Sequence, residues 1–426
     1  MQEILVNSQL SNSQQSSTVL INQRVKDLRQ EGREVYHFGF GQSPFEVHPS
    51  IQKALCDNAH QKSYLPTLGL PELRQAIAAF MANHFSYHYS PDHIVIGPGS
   101  KQLLYQAALA IEGPIILPAP TWVSYVPQAE ITGKQIFICQ TSKANHYKIT
   151  AEQLENVCSG LDHRQKILVI NNPNNPSGTV YHSQELKELA EVCRQNRVIV
   201  LSDEIYAFIQ FDSESEIGGF ARYYPEGSIV TGGLSKAFSA GGYRLGFIAV
   251  PDHMKDLVTA LGVISSQTYT SVSAPIQYAA VEAYQNPDVV EYAKECSRIH
   301  SHTTRYLFDR MIDLGADGVR PEGAFYLFPD FDRYRHRFKE LGLGSSPRLC
   351  HYLLDKHRVA VLPASSFYYP SEVLAFRMSS VDFSGEEALK AYRAGETLDF
   401  SFIENHCPNL KKGCDEIAGF VQEKLS

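Results

Sequence analysis

Short apolar runs rich in β-branched residues recur through the first 250 positions: Ile94 to Ile96, Ile115 to Leu117, Ile167 to Ile170, Val198 to Leu201, Ile229 to Val230 and Phe247 to Val250. Continuous rather than alternating runs fit strands buried on both faces. Between them lie segments of helical period; the stretch Ser100 to Ile111 puts Leu104, Ala107, Ala108 and Ile111 on one face. The expected fold is α/β, a large domain with a mostly parallel central sheet flanked by helices. After about residue 285 the rhythm changes to a long helical stretch through Met311, then short strands near Ala324 to Phe328, Val359 to Leu362 and Leu374 to Met378. That pattern predicts a smaller α+β domain. In the helical segment Leu410 to Leu425, Ile417, Phe420 and Val421 can dock while Glu423 and Lys424 stay wet. The expected division is a flexible arm over 1–16, a large domain over 47–290, and a small domain built from 17–46 with 291–426.

Composition narrows the function classes. The 426 residues are 43% hydrophobic, and no apolar run approaches the roughly 20 residues of a membrane span. A net charge of -8 argues against a surface adapted to nucleic acid. The eight cysteines include no Cys-x-x-Cys pair, so neither a zinc site nor a disulfide framework is signalled. Inert thiols in a cytoplasmic protein are expected. The first sixteen residues, rich in Ser, Gln and Asn, lack the basic start and apolar centre of a secretory signal.

Chemistry concentrates in Gly232-Gly233-Leu234-Ser235-Lys236-Ala237-Phe238-Ser239-Ala240-Gly241-Gly242-Tyr243-Arg244-Leu245-Gly246. A lysine can hold an aldehyde, and an arginine eight positions on offers a planar fork to a phosphate. Taken alone, the pair could equally be a solvated loop. Asn174-Asn175-Pro176-Ser177-Gly178 follows one predicted strand, where an amide could serve a phenolate oxygen and a carboxylate or simply shape a turn. Ser202-Asp203-Glu204-Ile205-Tyr206 closes the next, where the aspartate could cap a helix or keep a pyridine nitrogen protonated. Upstream, Ile96-Gly97-Pro98-Gly99-Ser100-Lys101 is a glycine-rich helix start suited to an anion. Trp122, the only tryptophan, is core filler or a stacking face.

These separated motifs, in order from Gly39-Phe40-Gly41-Gln42-Ser43-Pro44-Phe45 through Tyr64 and Gly69-Leu70-Pro71-Glu72-Leu73-Arg74 to Phe376-Arg377-Met378-Ser379, resemble the fold-type I pyridoxal-phosphate enzymes of the class I/II aminotransferase family. The resemblance implies pyridoxal 5'-phosphate as cofactor and Lys236 as the internal aldimine lysine. It implies Asp203 at the pyridine nitrogen, Tyr206 and Asn175 at the phenolic oxygen O3', and Trp122 against the ring. Phosphate contacts would come from Gly99, Ser100, Lys101, Ser235 and Arg244, with Tyr64 reaching from the neighbouring subunit of a homodimer. Arg377, Asn175 and the Gly41 backbone would hold the substrate α-carboxylate. Many relatives carry a phosphate-binding serine three residues before the lysine, whereas this chain has Gly233.

The implied activity moves an amino group from an L-amino acid to a 2-oxo acid. The same cradle would serve a lyase, decarboxylase or cyclising synthase. A ligand-binding regulator on the same body is disfavoured by the retained lysine and by an amino terminus too short for a DNA-binding domain. In some dicarboxylate-specific relatives an arginine occupies the arm corresponding to Gln267-Thr268-Tyr269-Thr270, and none is present here. That absence, with the apolar face of Tyr269, favours a neutral or aromatic amino acid.

Overall fold

The computed structural model describes residues 10, 15–162, 165–211 and 219–425. Most of the predicted arm therefore lies outside the described residues. Among the described residues twelve strands occur in chain order: β1 (Tyr36–His37), β2 (Ile94–Gly97), β3 (Ile115–Ala119), β4 (Ile136–Gln140), β5 (Lys166–Asn171), β6 (Val198–Asp203), β7 (Ser228–Gly233), β8 (Gly246–Ala249), β9 (Tyr326–Leu327), β10 (Val359–Ala360), β11 (Leu362–Pro363) and β12 (Phe376–Ser379). The expected central sheet has seven strands in the order β2-β8-β7-β6-β5-β3-β4. Pairing is parallel from β7 through to β4, as the buried apolar runs require. β8 alone runs the other way, antiparallel to both β2 and β7. The connection Leu234 to Leu245 contains only a short helical turn at Gly241–Tyr243, and without a crossover helix the chain returns beside the strand it left.

Periodicity did not reveal β4, the half-exposed edge strand whose Ile138 remains 39% exposed. The long helical stretch expected after residue 285 is the helix Pro287–Asp313, opened by Pro287 and capped by Asn286, whose side chain accepts from the Asp288 backbone N–H. The helix Ala274–Gln285 precedes it.

Directionality positions the site. The carboxyl ends of β2, β3, β5, β6 and β7 share one sheet edge with the amino end of β8, so the loops after them converge. Two glycines let this edge close tightly. A Cβ on Gly246 would stand 2.4 Å from the Ser100 nitrogen, and one on Gly233 would stand 2.7 Å from the Leu245 carbonyl oxygen. The space that a serine at position 233 would need is therefore filled by β8 backbone.

A separate apolar cluster joins Tyr36, Phe38 and Phe45 to residues between Tyr292 and Phe420, including Leu349, Phe376 and Ile417. β1 pairs with β10, and β12 lies between β11 and β9, so the amino-terminal segment packs with the carboxyl-terminal third. Helix Pro408–Leu425 docks Ile417 and Phe420 as its pattern foretold.

Candidate active site

A cavity of about 380 Å³ opens at the carboxyl edge of the sheet. Its wall includes Ser100 and Lys101 after β2, Trp122 after β3, Asn175 after β5, Asp203 and Tyr206 at the end of β6, and Ser235, Lys236 and Arg244 between β7 and β8. Gly41 and Arg377 complete it from the other side. Each sheet residue is there because its strand ends there, which is why motifs scattered over the sequence meet. Gly99 lies just behind the wall as the cap of helix Ser100–Ala110, with φ +90° and Arg244 Nη2 only 2.5 Å from where a Cβ would sit. Tyr64 is not brought in; it stands 87% exposed on the same chain.

Charge in the cavity is one-sided. Lys101, Lys236, Arg244 and Arg377 line it, Asp203 is the only carboxylate, and none of the four cations has an ion pair among the described residues. Arg377 is almost fully buried, with Nη1 donating to Asn175 Oδ1 at 3.1 Å and Nη2 to the Gly39 carbonyl at 2.7 Å. Its guanidinium lies 4.4 Å from the Tyr326 ring centroid, and its Nε has no partner. Burial lowers the Arg377 pKa. At the cavity mouth, desolvation and then the charges of Arg244 and Lys236 pull the Lys101 pKa down. Such crowding of unpaired cations is stable only where an anion is meant to sit among them.

Asp203 presents the opposite problem. It is buried, and desolvation raises its pKa although the Tyr125 hydroxyl donates to Oδ2 at 2.7 Å and Thr231 Oγ1 to Oδ1 at 3.4 Å. A cation facing it would offset the cost of burying its charge. Tyr206, also buried, has its hydroxyl 3.0 Å from that of Tyr326, and burial holds its pKa well above the ordinary phenol value. Lys236 Nζ donates to the Gly41 carbonyl and lies 5.6 Å from the Tyr206 ring centroid. Arg244 adopts φ +52° and points Nη1 at the Gly241 carbonyl, 2.8 Å away, which fixes the fork near the start of helix Ser100–Ala110.

Sequence reasoning missed four supports. Tyr125 and Thr231 hold Asp203, Asn171 orders the next loop, and Tyr326 braces both Tyr206 and Arg377. The Asn171 amide donates to the Asp203 carbonyl at 2.9 Å and accepts from the Asn175 backbone N–H at 2.7 Å. Tyr125 follows Trp122 by three positions, but none of the four stands apart from ordinary packed or strand residues until the fold aligns them. Tyr269, credited with an apolar face, is engaged with Ser265 Oγ at 2.8 Å and does not line this cavity.

The residues present fit a phosphorylated pyridine aldehyde. A free lysine amine, a buried carboxylate lacking a cation, and a helix amino terminus beside an arginine fork occupy one cavity with an aromatic face at Trp122. Among the described residues no cluster of His, Cys, Asp and Glu could hold a metal ion.

Comparison with known proteins agrees with this chemistry. The family described as aminotransferase class I and II matches residues 33–382. A probable aspartate/prephenate aminotransferase of Aquifex aeolicus is 32% identical over 372 residues, covering 85% of this chain and 91% of its own. An aspartate aminotransferase of Bacillus sp. (strain YM-2) is 32% identical over 400 residues, covering 92% and 98%. The solved structure of the Thermus thermophilus aspartate aminotransferase with maleate superposes with a TM-score of 0.83 at 26% identity, over 98% of this chain and 99% of that one.

Proposed function

The chain belongs to the aminotransferase class I and II family, and from that premise we propose that it takes the amino group of an acidic L-amino acid, with Lys236 as the covalent residue. It is a pyridoxal-phosphate-dependent enzyme of fold type I that transfers an amino group from an L-amino acid to a 2-oxo acid. The observation that carries the assignment of residues is the position of Lys236, with Asp203 and the Arg377–Asn175 pair in the same cavity.

When bound, pyridoxal phosphate supplies an aldehyde and an electron-withdrawing ring. Lys236 would hold the group through that aldehyde, and its amine would be the base that takes the proton from the substrate Cα. Asp203, oriented by Tyr125 and Thr231, would keep a proton on the ring nitrogen. Tyr206 would donate at the phenolic oxygen, and so would the Asn175 amide, whose oxygen is already committed to Arg377. Arg377 orients the α-carboxylate with the Gly41 backbone. Ser235, Arg244, Lys101 and the N–H groups after Gly99 would take the phosphate, and Trp122 would offer a face to the ring.

An acidic donor is supported by the relatives' names and by the dicarboxylate maleate in the Thermus structure. It replaces the neutral or aromatic donor suggested by Gln267 to Thr270. The exposed Tyr64 supports a second copy of the chain that would insert it at the phosphate. The division into domains over 47–290 and 17–46 with 291–426 is part of the proposal, supported by the cluster around Tyr36 and Phe376. A cytoplasmic location is supported by eight free thiols, six of them buried. Among the described residues no helix is long and apolar enough to cross a membrane.

Lys236→Ala should abolish both turnover and the visible absorbance of bound cofactor; transamination at the parental rate would exclude the lysine assignment. Aspartate should exceed phenylalanine and leucine in kcat/KM with 2-oxoglutarate as acceptor. The reverse order would exclude the acidic donor.

A further inference from the structure

Tyr326 lines the cavity between two parts of the proposed machinery and touches both. It lies on β9 opposite Ser379 of β12, two positions from Arg377, so its ring and the arginine project from one face of the sheet. The guanidinium lies 4.4 Å from the ring centroid, while the hydroxyl is 3.0 Å from that of Tyr206. The ring is 1% exposed. Gly41 marks how closely the hydroxyl is held, because a Cβ there would lie 2.4 Å from it.

We propose that Tyr326 is a positioning residue that couples the carboxylate-binding arginine, Arg377, to the phenol donor Tyr206. The inference rests on the roles given above to those two residues. A hydroxyl has one hydrogen. If Tyr206 spends its own on the cofactor's phenolic oxygen, the remaining contact must be a bond donated by Tyr326 to the Tyr206 oxygen. A donated bond polarises the acceptor and strengthens what Tyr206 offers onward. The guanidinium over the ring draws electron density from Tyr326 and adds to that polarisation. A substrate carboxylate arriving at Arg377 partly neutralises this charge, so the same contact transmits substrate binding to the cofactor oxygen. The charged and titratable groups facing Tyr206 are Tyr326, Arg377, Asp203, Lys236 and Tyr125, and burial keeps the Tyr206 phenol in its neutral, donating form.

The test is a pH titration of the visible absorbance of the holoenzyme, with donor KM measured in parallel. Weakening a donor to the phenolic oxygen favours the protonated chromophore. Tyr326→Phe should therefore raise the titration midpoint by about half a pH unit while donor KM stays within roughly twofold, because the ring under Arg377 remains. Tyr206→Phe should raise the midpoint further, and adding Tyr326→Phe to it should add nothing, as expected if one residue acts through the other. Tyr326→Leu, which removes the ring, should raise donor KM roughly tenfold. An unshifted midpoint in Tyr326→Phe, or full additivity with Tyr206→Phe, overturns the coupling. A parental protein that gains no visible absorbance with pyridoxal phosphate overturns the underlying cofactor assignment as well, which separates the two failures.

Discussion

Replacing Arg377 by lysine keeps the charge and removes the fork. In the structure the guanidinium already spends Nη1 on Asn175 Oδ1 and Nη2 on the Gly39 carbonyl, and packs between the rings of Tyr326 at 4.4 Å and Phe367 at 5.2 Å. An ammonium is a point donor, with no planar face for the rings and no second edge to offer a carboxylate. One charge-assisted hydrogen bond lost is worth about 1.5–3 kcal/mol, and the desolvated ring contact adds about 1 kcal/mol. A loss of about 2.5–4 kcal/mol corresponds to roughly a seventy- to thousandfold fall in kcat/KM at 1.36 kcal/mol per decade. The assay is steady-state transamination across amino-donor concentrations, together with cofactor affinity from absorbance on adding pyridoxal phosphate to cofactor-free protein. Cofactor affinity should change by less than about threefold, because the proposed phosphate donors are untouched. A kcat/KM within threefold of the parent, or an equal loss of cofactor affinity, would refute the assignment of Arg377 to the substrate.

Other outcomes follow from the same geometry. Glu204 is buried beside Asp203, accepts from Ser202 Oγ at 2.8 Å and Tyr87 at 3.3 Å, and has its pKa pushed up to about 7, chiefly by burial. Between the unfolded value near 4.5 and about 7, the folded state retains a proton that the unfolded chain has lost, so this group's contribution to stability falls as pH rises. Glu204→Gln should flatten that slope and make the cofactor-free protein more stable at pH 8; urea midpoints measured from pH 4.5 to 8 check it, and a parallel pair of curves would contradict it. Gly233→Ser should destabilise by about 1–3 kcal/mol through contact with β8 backbone, without tightening cofactor binding; unchanged thermal melting would show that the strand pair yields. Mixing inactive Tyr64→Ala and Lys236→Ala chains should restore activity through hybrid dimers with one intact site; no recovery after subunit exchange would place Tyr64 outside the partner's site.

What the sequence revealed and what it hid divide along the direction of the chain. Residues that follow directly from a strand end were legible: Asp203 and Tyr206 after β6, Asn175 after β5, and Lys236 after β7. Their strands announced themselves as buried apolar runs, and the chemistry followed within a few residues. The reversed β8 was not legible, because an apolar run is the same in either direction and only the short connection around Lys236 decides it. Nor was β4, since an edge strand is half wet and keeps a weaker pattern.

The bracing residues were hidden for a further reason. Tyr326 and Tyr125 are aromatic side chains in segments whose burial alone accounts for them, and nothing in the local pattern separates a packed phenol from one that orders a neighbour's proton. Their hydroxyls acquire meaning through pairings across 120 and 78 positions of chain. The distinction matters for activity because Asp203, Tyr206 and Arg377 are buried polar groups that low dielectric penalises unless each is held by a specific partner. Tyr125 and Thr231 hold the first, and Tyr326 meets the other two. The residues that would touch substrate and cofactor are thereby held in place by neighbours across the fold, while Arg377 Nε keeps its hydrogen-bonding capacity unspent.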